Sequence, residues 1–191
     1  MSMIRRIFVE KKDAFAVEAH GLLADLRNNL GMTALKNIRM MNRYDVMGLN
    51  DEELKKKKKL VLSEPPVDKV LEEELALEAG AHAFAVELLP GQYDQREDFA
   101  EQCIQLITQK DRPMVAAAKV YVLEGELSED EVAKIKAYCI NPIEAREAEW
   151  GKPETLVSTC EEPAKVARIA GFLTMTREEA IQKVAASIED T

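Results

Sequence analysis

Apolar residues in the first part of the chain follow short extended patterns and longer helical ones in turn. Residues 4–10 predict a strand, because Ile4, Ile7, Phe8 and Val9 favour extended backbone. Apolar residues at steps of three and four predict a helix over residues 14–30, and Gly31 lies where a left-handed C-terminal cap is expected. A strand over residues 37–46, a helix over about 50–62 and a short extended segment over 67–73 complete this series.

The same order of predicted elements returns after residue 81. Strands are predicted over residues 82–89 and 114–123, with a short extended segment over 143–149. A helix is predicted over residues 95–109, with an apolar side formed by Phe99, Cys103, Leu106 and Ile107. The next helix begins with the capping box of residues 128–131, in which a serine and a glutamate satisfy free backbone N–H groups reciprocally.

Three landmarks recur at nearly constant spacing in the two parts of the chain. Residues 9–10 match 86–87, the acidic helix start at 49–53 matches 127–131, and the helix exit at 65–68 matches 141–144. The offsets of 77, 78 and 76 residues predict an internal duplication, joined by residues 76–81. A unit of about 70 residues buries only ~60% of its surface and is marginally stable alone. Two copies packed on each other would form a pseudo-two-fold body.

The region after Trp150 has a different character. Residues 151–171 contain Pro153 and Pro163 and show weak periodicity, which is typical of a linker. A second capping box at residues 176–179 opens an amphipathic helix with Ile181, Val184 and Ile188 on one stripe. We expect this helix to belong to a larger region of which only a part is included.

Composition narrows the functional classes. The chain of 191 residues has a net charge of -9, and 47% of its residues are hydrophobic. The acidic charge argues against nucleic acid as a partner, since that affinity comes largely from Lys and Arg. No apolar run approaches the ~20 residues of a membrane span, and no signal peptide is apparent. Three cysteines with no paired spacing suit a reducing, cytoplasmic location.

Several long motifs resemble the N-terminal region of the long, single-chain phosphoribosylformylglycinamidine synthases. The resemblance covers the chain from about Ile4 to its end. The motifs that carry it are Asn42-Arg43-Tyr44-Asp45-Val46, Ser63-Glu64-Pro65-Pro66-Val67-Asp68, Val86-Glu87-Leu88-Leu89-Pro90-Gly91-Gln92-Tyr93-Asp94-Gln95-Arg96, Lys134-Ile135-Lys136-Ala137-Tyr138 and Asn141-Pro142-Ile143-Glu144-Ala145-Arg146-Glu147.

The resemblance implies an α+β fold of two fused copies of a small PurS-like, ferredoxin-like β-α-β-α-β unit, with pseudo-two-fold symmetry and helices outside antiparallel sheets. The copies would span residues 1–75 and 82–149, and residues 150–191 would begin a helical linker. The family is an ATP- and glutamine-dependent carbon–nitrogen ligase of purine biosynthesis. Its glutaminase triad and its ATP and magnesium residues lie in domains downstream, so this chain alone is expected to hold no catalytic, cofactor or metal residues. It would pack on the synthetase and glutaminase domains as a scaffold, helping to close the substrate site and the ammonia path.

Candidate chemistry within the chain is sparse. Arg43, Tyr44 and Arg96 are candidates for contacts with the catalytic domains. Cys103 and Cys139 are interpreted as small buried hydrophobic residues, and Cys160 in the linker as a lone thiol that could be exposed but does not form a site. His20 and His82 are interpreted as structural, because no cluster with metal-ligand spacing surrounds them. The run Lys55 to Lys59 is interpreted as a solvated helix surface, although it could attract a phosphate-bearing ligand.

Two other functions remain open from the sequence. Small α/β bodies can bind metabolites between their halves, so a free-standing regulatory module is one alternative. An RNA-binding sheet is the other; it would require aromatic residues on a central strand and a basic surface. Aromatic residues make up only 5% of this acidic chain, which places the RNA alternative last.

Overall fold

The structure is a computed structural model that describes residues 3–50, 58–157 and 171–189. The chain forms two compact units, Met1–Val157 and Ser158–Thr191. Both predicted copies lie in the first unit. The second unit contains the short 3-10 helix Phe172–Thr174 and the helix α4, Arg177–Glu189.

Within its described residues, the first unit has a mixed α+β architecture with six strands and three α-helices. The strands are β1 Arg5–Lys11, β2 Leu35–Met47, β3 Asp68–Glu72, β4 His82–Leu88, β5 Met114–Gly125 and β6 Ala145–Ala148. The α-helices are α1 Val17–Leu30, α2 Gln95–Thr108 and α3 Glu129–Cys139. A 3-10 helix, Asp13–Phe15, precedes α1, and a π-helical turn spans Lys58–Leu62. Most of the helix predicted over residues 50–62 lies outside the described residues.

Local capping signals explain where the helices begin and end. Gly31 closes α1 in the left-handed conformation, at φ 68°, and its N–H donates to the Leu26 carbonyl. The capping box between Ser128 and Glu131 is present at the start of α3, as the sequence predicts. Thr176 and Glu179 exchange the same hydrogen bonds before α4.

All six strands belong to one antiparallel sheet with the order β3-β1-β2-β5-β4-β6. The central pair, β2 and β5, is the longest and runs in register from Asn37↔Glu124 to Met47↔Met114. The sequence predicts antiparallel sheets packed against helices. The structure has a single continuous sheet because β2 and β5 pair with each other along most of their length.

One face of the sheet packs against the helices through two hydrophobic clusters. The first cluster lies between α2 and the strands β1, β2 and β5, and includes Ile7, Val46, Ala100, Ile104 and Val115. The second lies between α1, α3 and the strands β2, β4 and β5, and includes Leu26, Ile38, Phe84, Leu123 and Ile135. In this cluster the Phe84 and Tyr121 rings stack with their centroids 4.9 Å apart.

The opposite face of the sheet is also buried. Alternation along the strands places Phe8, Met41, Ala85, Val120 and Ala148 on this face, where they form a third hydrophobic cluster. Its buried charged residues include Arg6, Arg43 and Asp45, which are 5%, 6% and 2% exposed.

The buried charges on this face hold the chain segment that follows β6. Arg6 binds Asp45 through two hydrogen bonds of 2.7 Å and donates to the Trp150 carbonyl at 2.6 Å. Arg43 donates to the Glu149 carbonyl at 2.8 Å. At the far edge of the sheet, Lys152 pairs with Glu73, the residue after β3. The segment 149–152 therefore crosses the sheet from the edge at β6 to the edge at β3.

The apolar side of α2 that the sequence predicts is not the side that packs on the sheet. Phe99 is 59% exposed and Leu106 is 79% exposed, whereas Ala100 and Ile104 are the buried residues. The helix is rotated because two of its carboxylates, Glu97 and Glu101, accept hydrogen bonds from the backbone of β5 and so must face the sheet.

Replacing Asp45 tests the buried charge cluster. In Asp45→Ala, two buried guanidinium groups lose their carboxylate, and breaking a buried ion pair in this way costs about 3–5 kcal/mol. Urea denaturation followed by circular dichroism measures this loss. The matched control is Arg146→Ala, which breaks an exposed pair with Glu87 and is expected to change the free energy of unfolding by less than about 1 kcal/mol. Equal effects of the two substitutions would contradict the structural role of the cluster.

Candidate functional site

A polar strip interrupts the apolar helix-side face at the centre of the sheet. Asn42 of β2 and Lys119 of β5 are register partners, and both side chains alternate with residues of the two hydrophobic clusters. They lie between the cluster under α2 and the cluster under α1. An amide and an ammonium group in mid-strand positions disrupt the apolar pattern, so this strip is the first candidate for function.

A groove of about 520 Å³ opens above this strip. Its floor includes Asn42 and Lys119, and its walls include Glu18 of α1 and Arg96 and Phe99 of α2. Residues 60–64 and Asp68 line another side. The Lys119 ammonium forms an ion pair with Glu18, which links β5 to α1 across the groove.

Arg96 lies between this groove and a second one. The second groove, of about 350 Å³, is bounded by the start of α2, by β4 and by the region after α3, and Arg96 lines both. The positive charge of Arg96 is close enough to affect Tyr44 and Tyr121. Burial raises the pKa of both tyrosines, and the neighbouring guanidinium opposes that rise.

The backbone at the start of α2 fixes the position of Arg96. The Asp94 carboxylate accepts hydrogen bonds from the N–H groups of Arg96 at 2.7 Å and Glu97 at 3.3 Å. Glu97 accepts from the Ala117 N–H at 2.7 Å, and Glu101 accepts from the Val115 N–H at 2.9 Å. These amides lie beyond the last β4–β5 register pair, Val86↔Lys119, so carboxylates of α2 take the place of a neighbouring strand.

Arg43, Tyr44 and Arg96, the three residues singled out from the sequence, lie in different environments. Arg43 is buried on the face opposite the helices, 3.7 Å from Asp45, and burial lowers the pKa of its guanidinium. Tyr44 is buried in the helix-side cluster under α2. Arg96 is the exposed member of the three and the one that lines the groove. A role for any of them in interdomain contact stays a prediction.

Sequence reasoning missed Asn42 and Lys119 as groove residues. The available signal was a polar residue inside an otherwise apolar alternation on each central strand. That signal becomes informative only when the two strands are known to pair with these residues opposite each other.

The remaining candidates are placed as follows. Cys103 and Cys139 are free and partly buried, and burial raises the pKa of the Cys139 thiol to about 11. His20 lies 3.1 Å from Asp13, and His82 is the first residue of β4. Cys160 and Lys55 to Lys57 lie outside the described residues, whereas Lys59 is exposed.

Within residues 3–50, 58–157 and 171–189, no group of three or more His, Cys, Asp or Glu side chains could hold a metal ion. No helix in those ranges combines the length and apolar character needed to cross a membrane.

No protein-family model matches the sequence, and no curated protein is significantly similar to it.

The raised pKa of Cys139 predicts slow alkylation. At pH 8 a thiol with a pKa of about 11 holds about 100-fold less thiolate than an ordinary cysteine, and the thiolate is the reactive form. We expect iodoacetamide to modify Cys139 at least that much more slowly in the native chain than in urea. Mass spectrometry of peptides distinguishes Cys139 from the other two cysteines, which serve as internal comparisons. A native rate equal to the rate in urea would contradict the assignment.

The hydrogen bond between Glu97 and β5 predicts that two substitutions of Glu97 change the free energy of unfolding in opposite directions. Glu97→Ala removes the acceptor of the Ala117 N–H and is expected to cost about 1–3 kcal/mol. Glu97→Gln keeps an oxygen acceptor without a buried charge.

The Gln variant also has a predicted dependence on pH. Burial raises the pKa of Glu97 in the folded chain, so its contribution to stability is full below its unfolded pKa of about 4.3 and is lost as the pH rises through the folded pKa. We therefore expect Glu97→Gln to gain stability relative to wild type between about pH 4 and pH 7. Urea denaturation at both pH values, with the exposed Glu154→Gln as control, measures the gain. A pH-independent difference would overturn the prediction.

Proposed function

We propose that this chain is the non-catalytic N-terminal structural domain of a phosphoribosylformylglycinamidine synthase. In this role it packs on the synthetase domain and helps to close the substrate site and the ammonia path. The proposal begins from the resemblance of five long motifs, which extend from Asn42 to Glu147. It also requires that the first unit consist of two fused copies of one PurS-like, ferredoxin-like unit.

The strand register is the observation that supports the duplication most directly. Arg5 pairs with Val46 in β1–β2, and His82 pairs with Leu123 in β4–β5, so both partners move by 77 positions. The outer pairs behave in the same way, since Phe8↔Leu71 in β1–β3 corresponds to Ala85↔Ala148 in β4–β6. If residues 1–75 and 82–149 were unrelated, the inner and the outer strand pairs would have no reason to share the same offset of 77 positions.

The central strands agree with an approximate two-fold axis between the copies. Asn42 and Lys119 are themselves 77 positions apart and pair directly with each other. The sheet order β3-β1-β2-β5-β4-β6 reads as one copy followed by its rotated equivalent. Each copy would otherwise leave its long strand, β2 or β5, as an unpaired edge, and an edge of that length is prone to aggregation. Fusion of the copies removes both edges.

The proposed role is a platform and not a catalyst. The residues that perform catalysis in the family, and those that bind ATP and magnesium, lie in its downstream domains. The partners of this chain would be the synthetase and glutaminase domains of the same cytoplasmic enzyme. Arg96 is the exposed candidate for contact with them.

Reconstitution in trans tests the proposal. The catalytic domains from the same source are expressed without this region, and glutamine-dependent formation of the amidine product is measured with increasing amounts of this chain. We expect no turnover by this chain alone and a saturable gain of activity in the mixture. If the Arg96 charge is paired at the interface, Arg96→Gln is expected to raise the concentration of this chain needed for half-maximal activity by about 10-fold. Arg146→Gln, on the outer strand β6, serves as the matched control.

Two results would contradict the proposal. One is full activity of the catalytic domains without this chain. The other is the absence of both complex formation and rescue in size-exclusion and activity measurements.

A further inference from the structure

We propose that the groove over Asn42 and Lys119 binds a small molecule that carries an oxyanion, a carboxylate or phosphate, on a flat apolar body. Arg96 binds the oxyanion, and Phe99 with Leu60 contacts the body. This proposal goes beyond the scaffold role and does not depend on it.

Among the described residues, Arg96 is a cation of the groove that has no carboxylate partner. The chain has 35 acidic and 26 basic residues, so carboxylates exceed cations. Arg6, Arg39, Arg112 and Arg146 each hold a carboxylate oxygen within 2.6–2.8 Å. The Arg96 guanidinium lines the groove without a hydrogen-bond or ion-pair partner among the residues that the structure describes. A planar group with five N–H donors suits an oxyanion.

Two polar side chains, Asn42 and Lys119, form the floor of the groove. The Asn42 side chain is partly exposed, and its amide has no hydrogen-bond partner within the described parts of the chain. The Lys119 side chain is 25% exposed, whereas its partner Glu18 is 67% exposed and lies at the rim. Arg96, Lys119 and Asn42 line the same groove, so an anion there has two cations and an amide donor in its surroundings.

Two large apolar side chains, Phe99 and Leu60, also line the groove. Phe99 is 59% exposed and Leu60 is 69% exposed, and both line the groove. Phe99 and Leu60 provide an apolar surface for the ring of a ligand, and the Arg96 guanidinium provides a group that can bind the ligand's negative charge. The groove volume of about 520 Å³ lies within the range of small-molecule sites, about 300–1,000 Å³.

Charge fixes the direction in which such a ligand lies. On the other side of the groove, Asp68 is held 2.8 Å from Lys11, and Glu64 adds a second carboxylate. The Lys11–Asp68 pair and the Lys119–Glu18 pair each cancel in charge. Glu64 therefore leaves this end with a net negative charge, and Arg96 leaves the other end with a net positive charge. The oxyanion is thus directed to the end with Arg96 and Lys119.

Four probes separate the contributions of the charge and of the apolar body. Phenyl phosphate and benzoate carry both parts, phenol carries only the ring, and inorganic phosphate carries only the charge. Binding to the full chain is measured by isothermal titration calorimetry and by NMR shifts of the Arg96 and Asn42 side chains. We expect saturable binding of phenyl phosphate or benzoate at or below ~10 mM, with phenol and inorganic phosphate weaker. The tighter of the two bound probes identifies the oxyanion.

Two exposed residues provide the variants. Arg96→Gln is expected to weaken binding at least 10-fold, as loss of a charge-assisted hydrogen bond does, and Phe99→Ala is expected to weaken it several-fold. The matched controls are Arg177→Gln and Leu173→Ala in the second unit, where Leu173 is 98% exposed. Circular dichroism confirms that each variant is folded.

Three outcomes would overturn the proposal. They are no saturable binding of phenyl phosphate or benzoate, binding that Arg96→Gln leaves unchanged, and phenol binding as tightly as phenyl phosphate. None of them bears on the reconstitution of the synthase, so the two proposals can fail separately.

Discussion

The buried contact of Arg6 and Arg43 with Asp45 is the interaction that holds the segment after β6 against the sheet. Arg6 and Asp45 face each other across β1 and β2, and both lie on the sheet face opposite the helices. Two cations around one carboxylate leave an excess of donors, which the carbonyl groups of residues 149–151 accept. A buried ion pair contributes little net stability compared with an apolar contact, but it tolerates few alternatives once formed. Its main consequence is to specify where the segment after β6 crosses the sheet.

The same strand that carries this cluster also carries the groove. Along β2, Arg43 and Asp45 face the crossing segment, whereas Asn42 and Tyr44 face the helices. Pairing of β2 with β5 places Lys119 opposite Asn42 and so divides the helix-side face into two hydrophobic clusters. The polar strip between the clusters follows directly from the central position of these two strands. The two faces of β2 thus have different roles. A shift in the register of this strand would disturb both faces at once.

The strands and helix ends were predictable because their signals are local. Gly31 and the Ser128–Glu131 box specify helix ends through their own backbone and side-chain hydrogen bonds. Residues for contact with another domain were harder to predict. Arg43 and Tyr44 are adjacent in β2, and adjacent residues of a strand point to opposite faces, so the two cannot belong to the same surface of the sheet. The orientation of α2 was not predictable, because its rotation depends on N–H groups of β5 that lie beyond the end of β4. Such donors are known only after the strands have been paired.

The comparison of α1 with α2 explains why the groove has one apolar wall. Both helices have 14 residues, and their tenth positions, Leu26 and Ile104, are fully buried. The third and seventh positions also face the sheet, but they are Ala19 and Leu23 in α1 and Glu97 and Glu101 in α2. If the helices descend from one ancestral unit, two carboxylates replaced an apolar contact, and α2 holds β5 through hydrogen bonds. The fifth position is Gly21 in α1 and Phe99 in α2, so the aromatic side chain stands beside the groove in only one half. Two helices of equal length with different side chains at matching positions can thus form an asymmetric groove.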